Sequence, residues 1–195
     1  TLSLKPLSPF AAQASGIDLT RPLTPEQVRE IEHAMDQHAV LVFRQQPLTQ
    51  SQQIDFAKCF GPLDLGFRKV RGGPHRLDYA ELADISNVKA DGQIAEREHA
   101  KIVGNIANQL WHSDSSFQKP RAKYSMLSAV TVPSEGGQTE YADLRLAYDT
   151  LPADLKKRVE GRVAVHYALH SRFMLGDTQY TEEQRNLIQP VTWPL

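Results

Sequence analysis

The sequence predicts an α+β fold that is mainly β, with helices flanking the strands. Residues 39–43, Ala-Val-Leu-Val-Phe, form an apolar run that is too short for a helix, which predicts a buried strand. Residues 124–132 alternate, with Tyr, Met, Ser, Val and Val on one side, as a second strand does. Segments that carry helix-capping patterns accompany these runs and predict the flanking helices.

The N-terminal third carries two helix signals, one on each side of the first strand. Thr24 is a suitable N-cap, a proline occupies the first helical position and Gln27 completes a capping box, which predicts a helix over Pro25–Gln37. Thr49 repeats the pattern with a glutamine three residues later, and the Gly-Pro pair at 61–62 ends this second helix.

The middle of the chain has weaker signals. Residues 67–106 predict a long, partly mobile surface segment, with a turn at Gly72–Pro74 and a hairpin tip or loop at Asp91-Gly92. After the alternating run at 124–132, the sequence Pro-Ser-Glu-Gly-Gly at 133–137 predicts a turn.

The C-terminal third predicts a helix that Pro152 opens and Gly161 closes, a strand over Arg162–Tyr167 and a further helix after Thr181. Residues 189–195 offer no helix stop and no polar tail, and they contain large apolar groups that need burial. We therefore expect residues 1–195 to be one domain whose C-terminal part is missing.

The charge and cysteine content exclude several classes of protein. The chain has 22 Lys and Arg against 23 Asp and Glu, so a net charge of −1 gives no electrostatic reason to expect nucleic acid or an anionic membrane as partner. No apolar run approaches the roughly 20 residues of a membrane span. Cys59 is the single cysteine and no leader is visible, so we expect a cytoplasmic protein.

A possible metal site lies at His112-Ser113-Asp114. Side chains two residues apart on an extended segment point to the same side, so one imidazole and one carboxylate can reach one ion. They would supply two ligands of the 2-His-1-carboxylate triad that holds Fe(II). Taken alone, the motif fits a hydrogen-bonded surface pair equally well.

This motif, the alternating run after it and the sequence Gly-Gly-Gln-Thr-Glu at 136–140 resemble the taurine and 2,4-dichlorophenoxyacetate dioxygenase family of Fe(II)/2-oxoglutarate enzymes. The block from residue 38 to residue 63 resembles the family's N-terminal signature. Other segments resemble its herbicide-cleaving members, namely residues 79–88, 110–117, 124–130 and 167–177. The resemblance covers essentially the whole chain.

The resemblance implies a double-stranded β-helix, or jelly roll, in which His112 and Asp114 are catalytic iron ligands. It places Thr139 where a hydroxyl binds a carboxylate of 2-oxoglutarate, although the residue also fits an ordinary turn. The family's second histidine ligand and its 2-oxoglutarate-binding arginine cannot be placed in these 195 residues. His166 and His170 are predicted to be structural, because they are four apart on a strand-like segment.

The resemblance also places the substrate cavity beside the loop that follows the second helix. Lys69, Arg71 and Arg76 lie there, and a guanidinium or ammonium group would hold a carboxylate by charge-assisted hydrogen bonds. Lys69 and Arg76 match basic positions of herbicide-cleaving relatives best, and a solvated basic loop is the alternative. Asn108 and Ser115 are predicted to form polar walls.

The implied cofactor is Fe(II), with 2-oxoglutarate and O2 as co-substrates. The implied reaction hydroxylates an aryloxyalkanoate such as 2,4-dichlorophenoxyacetate next to its ether oxygen, giving a phenol and glyoxylate together with succinate and CO2. Two alternatives stay open: the same chemistry on an alkyl sulfonate or sulfate ester, and a metal-free jelly-roll binding module. The family's habit predicts a homo-oligomer.

Overall fold

The computed structural model describes residues 1–66, 76–97, 99–174, 176 and 178–195. Its strands are β1 (Ser3–Ser8), β2 (Ala11–Ser15), β3 (Val40–Phe43), β4 (Val163–His166) and β5 (Val191–Pro194). Its helices are α1 (Pro25–Gln37), α2 (Gln50–Lys58), α3 (Ala100–Ile106), α4 (Leu144–Asp149), α5 (Ala153–Val159), α6 (Ala168–Met174) and α7 (Glu182–Leu187), with a 3-10 turn at Ala107–Gln109. The chain divides into two compact units, residues 1–63 with 126–158 and residues 64–125 with 159–195.

The first unit contains a three-stranded sheet in the order β1-β2-β3. β1 runs antiparallel to β2, whereas β2 and β3 are parallel and are joined through α1, as a parallel pair requires a crossover. Ala12 and Ala14 of the central strand β2 are buried. The strand predicted at 39–43 is confirmed as β3, but it is half-buried rather than buried, because it is an edge strand of this sheet.

The two N-terminal helices begin where the capping patterns predict. The Thr24 hydroxyl accepts from the Gln27 amide at 3.3 Å, and the Gln27 side chain accepts from the Thr24 amide at 2.9 Å. Thr49 and Gln52 form the same reciprocal pair in α2. The buried core of the unit comprises Ile17, Leu19 and Ile31, against which Leu41, Phe43, Phe56 and Phe60 pack.

The prediction of a strand over Tyr124–Val132 is wrong, because none of β1 to β5 includes these residues. The alternation itself is partly visible, because Tyr124, Met126 and Ser128 are half-buried and the residues between them are exposed. Val130 is 91% exposed, however. Side-chain alternation indicates a pleated backbone, but a strand also needs hydrogen bonds to a neighbouring strand.

The turn predicted after this segment is confirmed. The chain bends at residues 134–135, and Gly136 and Gly137 follow with φ of 73° and 71°. These values favour glycine, which lacks the Cβ that would clash there. A Cβ on Gly137 would lie 3.1 Å from Pro133 Cγ.

The second unit contains an antiparallel pair of strands, β4 and β5, in which Ala164 pairs with Trp193. The strand predicted over 162–167 is confirmed as β4. β5 lies in the segment for which no element was predicted, and α6 replaces the strand-like continuation after Tyr167. The predicted helix after Thr181 is α7, whose capping box with Gln184 is formed.

The segment between α2 and α3 includes the predicted hairpin tip. The Lys89 amide donates to the Gln93 carbonyl at 2.8 Å, and Gly92 turns the chain with φ of 83°. Helix α3 was not predicted. The predicted turn at Gly72–Pro74 lies outside the described residues.

The observed mixture of helices and strands agrees with an α+β fold. Within the described ranges, however, helices hold more residues than strands, so the predominance of β structure is not seen there. The jelly roll and the single domain stay predictions. Among the described residues, no helix is both long enough and apolar enough to cross a membrane.

Candidate metal centre

The two predicted metal ligands lie together in the second unit, just after the 3-10 turn at Ala107–Gln109. His112 Nε2 is 3.3 Å from Asp114 Oδ1, and the two side chains are 46% and 59% exposed. The expectation that the motif points both groups to one side is therefore confirmed. Both groups are open to solvent.

The hydrogen bond of the other ring nitrogen of His112 determines the tautomer of the imidazole. His112 Nδ1 lies 2.6 Å from the carbonyl oxygen of Leu110. A carbonyl oxygen only accepts, so Nδ1 carries the proton, and Nε2 is the ring nitrogen that can offer a lone pair. That lone pair and the Asp114 carboxylate are then two acceptors in contact, and a cation between them, either a proton or a metal ion, makes the arrangement favourable.

The separation of the two donor atoms suits a metal ion. Metal–nitrogen and metal–oxygen bonds of about 2.1 Å at a right angle put neighbouring ligand atoms about 3 Å apart. The 3.3 Å between His112 and Asp114 is close to that value. The described part of the chain contains no group of three His, Cys, Asp or Glu side chains placed to hold an ion, so an ion bound here would take two of its ligands from this pair.

A tight turn follows the pair directly. Ser115, half-buried, has φ of 57°, in the left-handed region that non-glycine residues rarely adopt. The Ser116 hydroxyl donates to the Ser113 carbonyl at 3.2 Å, and the Gln118 amide donates to the Ser115 carbonyl at 3.2 Å. These two hydrogen bonds therefore close a turn within residues 113–118.

Two side-chain contacts hold this turn from distant parts of the sequence. The indole Nε1 of Trp193, on β5, donates to the Ser116 carbonyl at 2.6 Å. The Gln118 amide group donates to the Asp64 carboxylate. From the sequence, Trp193 is expected to be an apolar group in need of burial, because no local pattern signals a contact across 77 residues.

The remaining candidate residues lie in different elements of the structure. Asn108 lies exposed in the 3-10 turn of the second unit, whereas Thr139 lies exposed in the first unit, two residues after Gly137. His166 ends β4, and His170 lies within α6. The roles predicted for Asn108 and Thr139 stay predictions.

Arg76 belongs to a charged network centred on Asp84. Its Nε and Nη2 donate to the two Asp84 carboxylate oxygens at 3.2 and 3.0 Å. Lys101 Nζ donates to Asp84 at 2.7 Å, to the Ser86 hydroxyl at 3.1 Å and to the Val88 carbonyl at 2.6 Å. Burial opposes ionisation of Asp84, but the hydrogen bonds from Arg76 and Lys101 outweigh it and lower its pKa to about 2.

This network changes the role expected for Arg76 in the basic loop that follows α2. Arg76 is not a free cation, so a substrate carboxylate would share the guanidinium with Asp84. Neither Asp84 nor Lys101 is predicted from the sequence, although residues 79–88 carry part of the family resemblance. Lys69 and Arg71 lie outside the described residues.

Comparison with known proteins gives a consistent set of relatives. The chain is 62% identical over 191 residues to the alpha-ketoglutarate-dependent 2,4-dichlorophenoxyacetate dioxygenase of Cupriavidus pinatubonensis, covering 97% of this chain and 67% of that protein. It is 60% identical to the protein of the same name from a Burkholderia species, covering 95% of this chain and 63% of that protein. The chain thus spans about two thirds of these relatives' length.

A solved structure and a family match point the same way. The crystal structure of AAD-2 in complex with Mn(II) and N-oxalylglycine superposes with a TM-score of 0.86 at 41% identity, covering 100% of this chain and 66% of that one. Residues 3–195 match the family described as taurine catabolism dioxygenase TauD, TfdA family. On the strength of these matches, the chain belongs to the TauD/TfdA dioxygenase family.

Proposed function

We propose that this chain carries part of the active site of an Fe(II)- and 2-oxoglutarate-dependent dioxygenase that hydroxylates an aryloxyalkanoate. The observation that carries the proposal is the pairing of His112 Nε2 with Asp114 Oδ1 at 3.3 Å, with Nδ1 held by the Leu110 carbonyl. Relatives at 62% and 60% identity are named 2,4-dichlorophenoxyacetate dioxygenases, which supports this substrate class.

His112 and Asp114 would hold the iron, with the second histidine that the family resemblance implies as third ligand. Bound Fe(II) supplies the means of coupling the oxidation of 2-oxoglutarate by O2 to hydroxylation of a C–H bond. The Leu110 carbonyl holds the proton on Nδ1, which would leave Nε2 to bind the iron. The Asp114 carboxylate would neutralise part of the metal's charge.

Other residues take their proposed roles from the resemblance. Thr139 would hydrogen-bond a carboxylate of 2-oxoglutarate. Arg76 and Lys69 would hold the carboxylate of the substrate, and Arg76 would do so while Asp84 orients its guanidinium. Asn108 and Ser115 would form polar walls of the cavity.

The proposed reaction balances without a further reductant. One oxygen atom of O2 enters the substrate as a hydroxyl on the carbon beside the ether oxygen, and the other enters succinate as 2-oxoglutarate loses CO2. The hydroxylated carbon is then a hemiacetal. The bond between this carbon and the ether oxygen then breaks. The ether oxygen takes the proton of the new hydroxyl group and leaves as the phenol, and the rest of the molecule is glyoxylate.

The jelly-roll fold of a single domain, a cytoplasmic location and a homo-oligomeric state belong to the same proposal. The family match over residues 3–195 supports the fold, whereas the homo-oligomer rests on the resemblance alone and the cytoplasmic location on the single cysteine, Cys59. We propose no nucleic acid or membrane partner, in keeping with the net charge of −1.

The test is an anaerobic titration of the protein with Fe(II) and 2-oxoglutarate, followed by visible absorption. The expected result is a charge-transfer band of the chelate that shifts on addition of 2,4-dichlorophenoxyacetate. A band that shifts with an alkyl sulfonate and not with the aryloxyacetate would replace the substrate class. The band should be lost in His112→Ala. Absence of any band in a protein that spans the full length of these relatives would contradict the dioxygenase and favour a metal-free binding module.

A further inference from the structure

We propose that Trp193 is a positioning residue for the His112–Asp114 pair and acts through the backbone carbonyl of Ser116. The inference rests on the proposed metal centre and adds a residue to it. Trp193 lies 79 positions beyond Asp114 in the sequence. It touches the turn that follows the pair rather than the pair itself.

Trp193 is mounted on a strand with a defined hydrogen-bond register. It pairs with Ala164 in the antiparallel β4–β5 ladder, and its neighbour Pro194 pairs with Val163. The ladder continues past the strand, where the Leu195 amide donates to the Arg162 carbonyl at 3.0 Å. A side chain on a hydrogen-bonded strand is held in position, so it can also hold the turn that it contacts.

The indole N–H makes one specific bond to the turn. An indole nitrogen only donates, and Trp193 Nε1 donates to the Ser116 carbonyl at 2.6 Å in a partly buried setting. Ser116 follows Asp114 by two residues, and its hydroxyl returns to the Ser113 carbonyl between the two ligands. The bond therefore holds the turn that follows the pair, and through Ser113 this turn is tied to the backbone between His112 and Asp114.

The segment after the turn also contacts the face of the ring. The guanidinium carbon of Arg121 lies 4.1 Å from the centre of the Trp193 ring, and Lys119 Nζ lies 4.9 Å from it. Cations at these distances are attracted by the ring's negative face. Ser116, Lys119 and Arg121 thus hold the indole by three contacts.

Loss of the indole N–H would leave the Ser116 carbonyl without this donor and loosen the turn. The His112 and Asp114 donor atoms would then sample separations other than the 3.3 Å that suits one ion. A site that must be ordered on binding holds its metal more weakly than a site ordered in advance. Groups hydrogen-bonded directly to a metal ligand change metal affinity by about 10- to 100-fold, so the lower end of this range is expected for Trp193, which acts one contact further away.

The test compares Mn(II) binding, measured by calorimetry in the presence of N-oxalylglycine, in the parent protein and in Trp193→Phe. Phenylalanine keeps an aromatic face for Lys119 and Arg121 but has no donor. The matched control is Thr192→Val, which removes a hydroxyl from the neighbouring, exposed position of the same strand. We expect the dissociation constant to rise about tenfold in Trp193→Phe, with the control unchanged and urea unfolding midpoints similar in all three proteins.

The outcomes separate this inference from the proposed function. A parent protein that binds no Mn(II) overturns the metal centre and this inference with it. Binding by the parent and equal binding by Trp193→Phe overturns only the inference, as does an equal loss in Thr192→Val. If Trp193→Phe does not fold, 3-benzothienylalanine at position 193 keeps the bicyclic ring and removes only the N–H, and the same comparison decides.

Discussion

At the scale of single residues, the candidate centre depends on the hydrogen bond between His112 and the Leu110 carbonyl. That bond, at 2.6 Å, leaves the Nε2 lone pair facing the Asp114 carboxylate. Both side chains are largely exposed to solvent, so we expect the pair to matter for binding rather than for stability. Exposed ion pairs contribute little to folding, with a median of roughly 0–1 kcal/mol.

Replacing Asp114 therefore tests binding separately from folding. Asp114→Ala should abolish Mn(II) binding and turnover of 2-oxoglutarate, because at most an incomplete triad remains. Its free energy of unfolding should change by less than about 1 kcal/mol, since the side chain is 59% exposed. Calorimetry and urea unfolding measure the two effects, with the exposed Glu96→Ala as control. An Asp114→Ala protein that consumes 2-oxoglutarate at the parent rate would refute the assignment.

Single residues also show what the sequence could not predict. The proximity of His112 and Asp114 could be predicted because two side chains at i and i+2 form a local pattern. The contacts of Trp193 and Asp84 could not, because their partners lie 77, 17 and 8 residues away and nothing in the local pattern specifies them. The second histidine and the arginine expected from the resemblance have no placed counterpart among these residues.

At the scale of elements, the same distinction separates helices from strands. The helices that begin after Thr24, Thr49 and Thr181 were predicted at their first residue, because a capping box is complete within four residues. The alternating segment 124–132 was predicted as a strand and is not one in the described structure. A strand needs a partner that the segment itself does not encode.

The cap of α1 gives a measurable consequence. Thr24→Ala should lower the free energy of unfolding by about 1 kcal/mol, because the Gln27 amide at the helix N-terminus loses its acceptor. Thr24→Ser keeps the hydroxyl and should stay within a few tenths of a kcal/mol of the parent. Urea denaturation followed by circular dichroism measures both variants. Equal destabilisation by alanine and serine would show that the methyl group, rather than the cap, matters.

Unlike a helix cap, the network around Asp84 joins residues that are far apart in the sequence. Lys101 on α3 reaches Asp84, Ser86 and Val88 on the loop before it, and Asn105 donates to the Ser86 carbonyl at 3.0 Å. The side chains of Asp84 and Lys101 are 14% and 22% exposed. The network therefore holds residues 84–88 against α3.

The lowered pKa of Asp84 makes this contact pH-dependent. The folded-state pKa of about 2 lies below the ordinary value of 3.8, so the ionised carboxylate stabilises the fold above pH 3.8. This contribution, roughly 1–2 kcal/mol after allowance for solvent screening, is lost as the pH falls from 3.8 towards 2. Asp84→Asn should be destabilised at pH 7 and lose less stability between pH 5 and pH 3 than the parent.

Urea titrations at several pH values measure this difference. Asp55→Asn, an exposed aspartate on α2, is the matched control and should follow the parent. Parallel pH profiles for Asp84→Asn and the parent would show that Asp84 does not supply the acid sensitivity of this range.

At the scale of the whole molecule, the near-zero net charge bears on how an anionic substrate is recognised. A protein with a net charge of −1 provides no long-range attraction for a carboxylate. Selectivity for an aryloxyalkanoate would then depend on local cations placed at the cavity. The composition of these 195 residues gives no electrostatic reason to expect a polyanionic partner. It cannot identify the cation, because pairing such as that of Arg76 with Asp84 is visible only in the structure.

Arg76 is the described cation to which this role is assigned, and its removal tests the substrate class. Arg76→Gln should raise KM for 2,4-dichlorophenoxyacetate about 10- to 100-fold, the effect of losing a charge-assisted hydrogen bond of roughly 1.5–3 kcal/mol. KM for 2-oxoglutarate should stay near the parent value, because a different arginine is expected to bind that molecule. Initial rates of phenol release measure both constants. The exposed Arg97→Gln should match the parent in both. A parallel rise of both constants in Arg76→Gln would mean that Arg76 supports the fold through Asp84 and does not contact the substrate.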